Sequence, residues 1–155
     1  MTIDNSERIK AELPSLVADG FEITSPIDIR YNCIAWAAGD TDRFWWPSVG
    51  SGHFWPPQAP QAVSLDAFIA AFGSLGFSPC ENGVHQDGTE KIVIYAGTAG
   101  PTHAARQLPS GEWTSKLGRA HDIRHSTPEG VCGSLYGDIA VFMARSLEVH
   151  TQTPG

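Results

Sequence analysis

The chain has 155 residues, ten Lys and Arg against seventeen Asp and Glu, and a formal net charge of −7. That length suits one domain able to bury roughly 70% of its unfolded surface, so a single domain over 1–155 is expected, with its core over about 14–149 and a loose C-terminal tail. An acidic chain cannot build the basic face that phosphate groups require, which excludes nucleic acid and anionic membranes as partners.

Met1 to Lys10 lacks the basic start and apolar run of a signal peptide, and no apolar stretch reaches the length of a membrane span. The expected location is cytoplasmic, or export without a cleaved signal. Cys33, Cys80 and Cys132 are an odd number without zinc-site spacing, and read as free thiols.

Taken in chain order, Asn5 to Leu13 is a short helix stopped by Pro14, and Pro14 to Gly20 is one further turn. Phe21 to Thr24 alternates as an edge strand before Ser25-Pro26. Asn32, a preferred capping residue, then starts a helix of small residues, Cys33-Ile34-Ala35-Trp36-Ala37-Ala38, that ends at Gly39. Asp40 to Pro60 has no periodicity and is rich in Trp, Phe, Gly and Pro, the composition of a functional loop. Ser64 caps the best helix, in which Leu65, Phe68, Ile69 and Phe72 recur on one face and which Gly76 stops. Lys91–Ala96, Thr102–Leu108 and Glu112–Leu117 form an antiparallel meander. Arg119 to Glu129 reads as irregular, and Asp138–Arg145 as a fourth strand, with helix as the alternative. The order, helices first and a small antiparallel sheet after, is that of an α+β domain.

Two residues carry the chemistry. Cys33 stands at a helix N-terminus, where unpaired N–H groups favour the thiolate, and His103 stands near the start of a downstream strand. A thiol and an imidazole are what a cysteine nucleophile needs. The third residue depends on register. A three-residue loop at Pro109-Ser110-Gly111 puts Ser115 diagonally on the face of His103. A two-residue loop puts Thr114 and Lys116 there, and Asp122 and His125 are rivals. The N–H of Cys33 is one oxyanion donor, and Asn32 or Tyr31 supplies a second, Asn32 being equally a helix cap. Trp45 and Trp46 are read as walls of a groove, whereas Trp36 reads as core. No pair among His53, His85, His121 and His125 has the spacing of a zinc hydrolase, and Gly97 to Pro101 joins strand to strand. Neither metal nor cofactor is expected.

In this layout the chain resembles the papain-like NlpC-type peptidoglycan peptidases and their amidase relatives, which place a nucleophilic Cys at a helix N-terminus, then a catalytic His on an early strand of an antiparallel sheet. Cys33 and His103 match those positions in the same chain order. Transglutaminase-like proteins share that order, with a Trp on the strand after the His, where this chain has Trp113. The resemblance implies a papain-like fold, N-terminal helices packed on a small antiparallel sheet. It also implies thiolate hydrolysis of an amide bond in a peptide or peptidoglycan-like substrate, with His103 as general base; a monomer is the expectation for the chain, on which the resemblance does not bear. The competing reading is a non-catalytic papain-like module that binds through an aromatic-lined groove.

Overall fold

The computed structural model describes residues 5–47, 53–118 and 120–147. Among them are four short helices, α1 (Ser6–Glu12), α2 (Ser15–Asp19), α3 (Cys33–Ala38) and α4 (Leu65–Gly73), and a 3₁₀ turn, Pro128–Val131. The strands are β1 (Phe21–Ile23), β2 (Ser78–Cys80), β3 (Thr89–Gly97), β4 (Gly100–Gln107), β5 (Trp113–Lys116), β6 (Asp122–His125) and β7 (Asp138–Ser146). They make one sheet in the order β1-β6-β5-β4-β3-β7-β2, antiparallel at every junction.

This overturns the papain-like α+β expectation of helices on a small sheet. The architecture is dominated by the seven-stranded antiparallel sheet, and no described helix exceeds nine residues. The sheet outgrew the expectation because β2 and β6 are only three or four residues long and are held by partners more than by pattern. Asp122–His125 shows no strand signal alone, yet it fills the space between two others: Phe21 and Trp113 both register with His125. The tail expected after Val149 lies outside the described residues.

Side chains alternate across the sheet and split the core in two. On one face Ile92, Ile94, Ala104 and Met143 meet α3 and α4 through Cys33, Ile34, Phe68 and Phe72. On the other face Val93, Tyr95, Ala105, Trp113 and Ile123 meet Ile9, Leu13, Leu16 and Val131.

Two caps are as the residues dictate. Ser64 Oγ accepts the N–H of Ala67 at 3.2 Å to start α4, and Asn32 starts α3 from an extended backbone. The β4–β5 hairpin turns through Pro109-Ser110-Gly111, with Leu108 N–H donating to Glu112 C=O at 2.7 Å. The three-residue loop is therefore the one formed, and it sets the face on which each β5 side chain lies.

Candidate functional site

The site is built around the start of α3. Asn32 Oδ1 accepts the N–H of Ala35 at 3.2 Å and that of Trp45 at 3.0 Å, while its Nδ2 donates to Trp45 C=O at 2.9 Å. One side chain thus caps the helix and clamps the following loop to it. Tyr31 is also engaged: its hydroxyl donates to Asp122 Oδ2 at 2.8 Å, and Lys116 Nζ lies 4.6 Å from its ring centre. The Tyr31 hydroxyl hydrogen is thus committed to Asp122, and one of the two Nδ2 hydrogens of Asn32 to Trp45.

Cys33 is the first residue of α3 and is buried. α3 packs against β4 and β5, between which the sheet has a seam. β4 and β5 pair at Arg106↔Thr114 and Gln107↔Trp113, then part. Hydrogen-bonded pairs alternate along an antiparallel ladder. With Leu108 donating to Glu112, the N–H of Ala104 points toward β5 and would meet Lys116 in an unbroken sheet. It faces the Cys33 sulfur instead. Burial pushes the thiol up to about 11, against the pull of the N–H groups of Ala104, Ile34 and Cys33 itself. The helix end weighs less on the thiol than its position in the sequence suggests. A six-residue helix offers a weak field, and desolvation of the thiolate is the larger effect.

His103 precedes Ala104 and turns to the other face. Its ring stacks on Tyr136 with centroids 3.9 Å apart and lies 5.4 Å from that of Tyr95, its partner across the strand pair. It is fully buried, and neither ring nitrogen has a hydrogen-bond partner. Burial, with His125 nearby, pushes the imidazole down to about 3, so it is neutral. The structure therefore brings Cys33 and His103 to the two sides of one strand residue without a hydrogen bond between them.

Ser115 does share the face of His103, as the three-residue loop requires, but it is bonded elsewhere. Its Oγ lies 2.8 Å from His125 Nε2, and His125 Nδ1 lies 2.7 Å from Thr127 C=O. A carbonyl can only accept, so Nδ1 carries the proton and Nε2 accepts from Ser115. The serine and histidine expected as rivals for one role are partners of each other. Asp122, the other rival, belongs to the Tyr31 and Lys116 cluster on the α3 face.

Trp45 is buried, donates Nε1–H to Asp40 Oδ2 at 2.8 Å and tilts against Phe54; Trp46 meets Phe68 edge-on. Trp46 and Trp55 meet Phe68 and so anchor the loop to α4. Trp36, expected in the core, is half-buried, donates to Thr114 Oγ1 at 3.1 Å and stacks on Tyr31.

A family model described as Domain of unknown function (DUF7689) matches residues 22–144. The chain belongs to this family. No curated protein and no solved structure matches it. The matched span runs from β1 into β7, so in this DUF7689 chain it contains Cys33, His103, Ser115, His125 and Tyr136 and leaves α1 and α2 outside.

Tyr136 is the site residue that sequence reasoning missed. It sits in a turn closed by the bridge between Gly133 and Gly137. At Gly137 φ is +82°, and a Cβ there would run into the backbone carbonyl of Ala96. A tyrosine beside such a glycine was the one available signal, and it says nothing of the imidazole beneath. Among the described residues no group of three His, Cys, Asp or Glu could hold a metal ion, and no helix is long and apolar enough to cross a membrane.

Proposed function

We propose that this DUF7689 chain is a cysteine-dependent hydrolase of amide bonds, a peptidase or amidase, with Cys33 as nucleophile and His103 as general base, here in a closed arrangement. One observation carries the reading. The Cys33 sulfur faces the N–H of Ala104, the residue that follows His103 in β4, and the His103 imidazole is kept in the core with both nitrogens unbonded. An unpaired buried polar group costs about 1–3 kcal/mol, and such a cost is more readily explained by chemistry than by packing.

In the closed arrangement the proton stays on sulfur, because the thiol is pushed up and the imidazole down. Opening the seam rehydrates both groups and returns each toward its ordinary value. His103 then takes the thiol proton and the thiolate attacks the carbonyl carbon. The C–N bond breaks as His103 protonates the departing amine, and water cleaves the thioester to release the acid. The N–H groups of Cys33 and Ala104 are the donors closest to the developing oxyanion. Ser115 and His125 stand behind His103 as a mutually satisfied pair.

A peptide or peptidoglycan-like amide is the substrate class in this reading. The free thiols of Cys33, Cys80 and Cys132 fit a reducing compartment such as the cytoplasm. The binding-module reading has less support, since its aromatic loop packs on Phe54 and Phe68.

The test is turnover of peptidyl aminocoumarin amides and of purified peptidoglycan, the latter read by muropeptide analysis. Wild type and Cys80→Ala should be active, Cys33→Ala inactive, and His103→Ala slower by roughly 10²–10⁴-fold. No turnover on either substrate class, or turnover that survives Cys33→Ala, overturns the proposal.

A further inference from the structure

Among the described residues, Arg106 is the arginine without an ion pair. Arg8, Arg30, Arg43, Arg124 and Arg145 each hold a carboxylate, and with seventeen Asp and Glu in the chain acids are not scarce. Arg106 is half-buried on the face of β4 that α3 covers. Its Nε–H donates to Trp36 C=O at 3.3 Å, and its guanidinium carbon lies 4.7 Å from the Trp36 ring centre. Trp36 thus fixes one edge and one face of the group, while the Nη atoms have no hydrogen-bond partner among the described residues. Burial pulls the guanidinium below its ordinary value, against Glu90 and Asp122. A half-buried cation held in one place without a counter-charge is costly until an anion pairs with it.

Arg106 also ends the paired part of β3 and β4, whose register runs to Ile92↔Arg106. Past that pair a pocket of about 350 Å³ lies between the start of β3 and the end of β4, lined by Arg106 with Thr89, Glu90, Leu108, Pro109 and Leu147. Glu90 does not serve Arg106, because its Oε1 accepts from Nε–H and Nη2–H of Arg145 at 3.0 and 2.8 Å. Asp87, the other acid of the lining, is fully exposed and lies 4.0 Å from His85.

Charge and shape narrow the ligand. A guanidinium whose Nη edge is open takes the two oxygens of a carboxylate side by side. One cation balances one negative charge, whereas a phosphate dianion would lie beside Glu90 and Asp87 with half its charge unmatched. The Thr89 hydroxyl, without a partner among the described residues, is available to an amide group. Leu108, Pro109 and Leu147 offer apolar contact that a bare inorganic anion cannot use. We infer that Arg106 and this pocket bind the free C-terminal carboxylate of a peptide. α3 sets the site beside Cys33: the thiol faces Ala104, and Trp36 holds Arg106, two residues and about 7 Å further along the same face of β4. On the hydrolase reading, on which this step alone rests, the carboxylate is the substrate's own and the bond cleaved lies near its C-terminus.

The experiment uses the full chain with Cys33→Ala and ¹⁵N-labelled arginine, following the Nε–H signal of Arg106, which is assigned by its absence from Arg106→Gln. The protein is titrated at pH 7 with N-acetyl-alanyl-alanine, with the same peptide as its C-terminal amide, with acetate and with inorganic phosphate. The free acid should shift the Arg106 signal to saturation and leave that of Arg124 in place. The amide, acetate and phosphate should each bind at least tenfold more weakly. Amide signals elsewhere in the protein should show Arg106→Gln losing the peptide at least tenfold and Arg106→Lys losing less. No saturable shift, equal binding of acid and amide, phosphate or acetate binding as tightly as the peptide, or peptide binding kept by a folded Arg106→Gln overturns the site. In parallel, with Cys33 restored, release of alanine from the acid should exceed release of alaninamide from the amide at least tenfold in kcat/KM. Peptide binding without turnover supports the site and removes the reaction. Cys33-dependent turnover indifferent to the carboxylate and to Arg106→Gln removes the site's part in the reaction and leaves the reaction.

Discussion

His103 is fully buried, flat against Tyr136, and has no partner for either nitrogen. Replacing a buried, unsatisfied polar ring by an apolar ring of similar shape should remove that cost. We expect His103→Phe to be more stable than wild type by about 1–2 kcal/mol in urea unfolding at pH 7, with hydrolysis lost. A destabilised but active variant would contradict both expectations. Cys33 supports a second test at this scale. With its thiol pushed up to about 11, alkylation by iodoacetamide at pH 7 should be at least tenfold slower than at the half-buried Cys80. Peptide mapping by mass spectrometry reads the ratio, and faster labelling of Cys33 would show that the thiol is not sealed. The sequence identified these two residues by type and position. It could not weigh helix-end stabilisation against desolvation, because desolvation is set by neighbours distant in the chain.

The elements divide by where their information lies. α3 and α4 were legible because Asn32 and Ser64 are local signals, each bonding a backbone N–H three residues ahead. β3, β4 and β5 were legible from their runs and from the turn between Leu108 and Glu112. β6 was not, since Asp122–His125 becomes a strand only between β1 and β5. That omission concealed the Ser115–His125 pair, whose spacing follows from Trp113↔His125 and Ser115↔Ile123. Asn32 links the two kinds of information. Its cap on Ala35 is local, and its two bonds to Trp45 fasten the loop. Asn32→Ala should therefore cost about 2–4 kcal/mol, more than a surface cap, because buried partners are left unpaired. Asn32→Asp should recover part of that by keeping the acceptor. Thermal unfolding of both variants gives the order, and equal losses would mean that the loop clamp, not the cap, dominates.

At the scale of the molecule, buried histidines make the fold sensitive to acid. The folded imidazole of His103 sits at about 3, against about 6.5 in an unfolded chain. Below 6.5 the unfolded state takes up a proton that the folded state refuses, so stability is full above 6.5 and falls as the pH drops toward 3. His125, also lowered mainly by burial, adds in the same direction. Each such proton changes stability by up to about 1.4 kcal/mol per pH unit. Urea unfolding at pH 7, 6, 5 and 4 should show wild type losing stability faster than His103→Phe, by about 1 kcal/mol per unit. Parallel curves would place the imidazole in solvent. By itself the sequence determined the acidic balance, the capped helices, the central meander and the place of Cys33 at a helix start, all of which depend on composition or on neighbours along the chain. Only the tertiary structure decided that seven strands form one sheet and that Cys33 and His103 flank Ala104 from its two sides. It also decided that Ser115 turns to His125 and that Tyr136 covers the imidazole. Each of these depends on contacts between distant segments and on the water those contacts exclude, and neither is a property of any one stretch of chain.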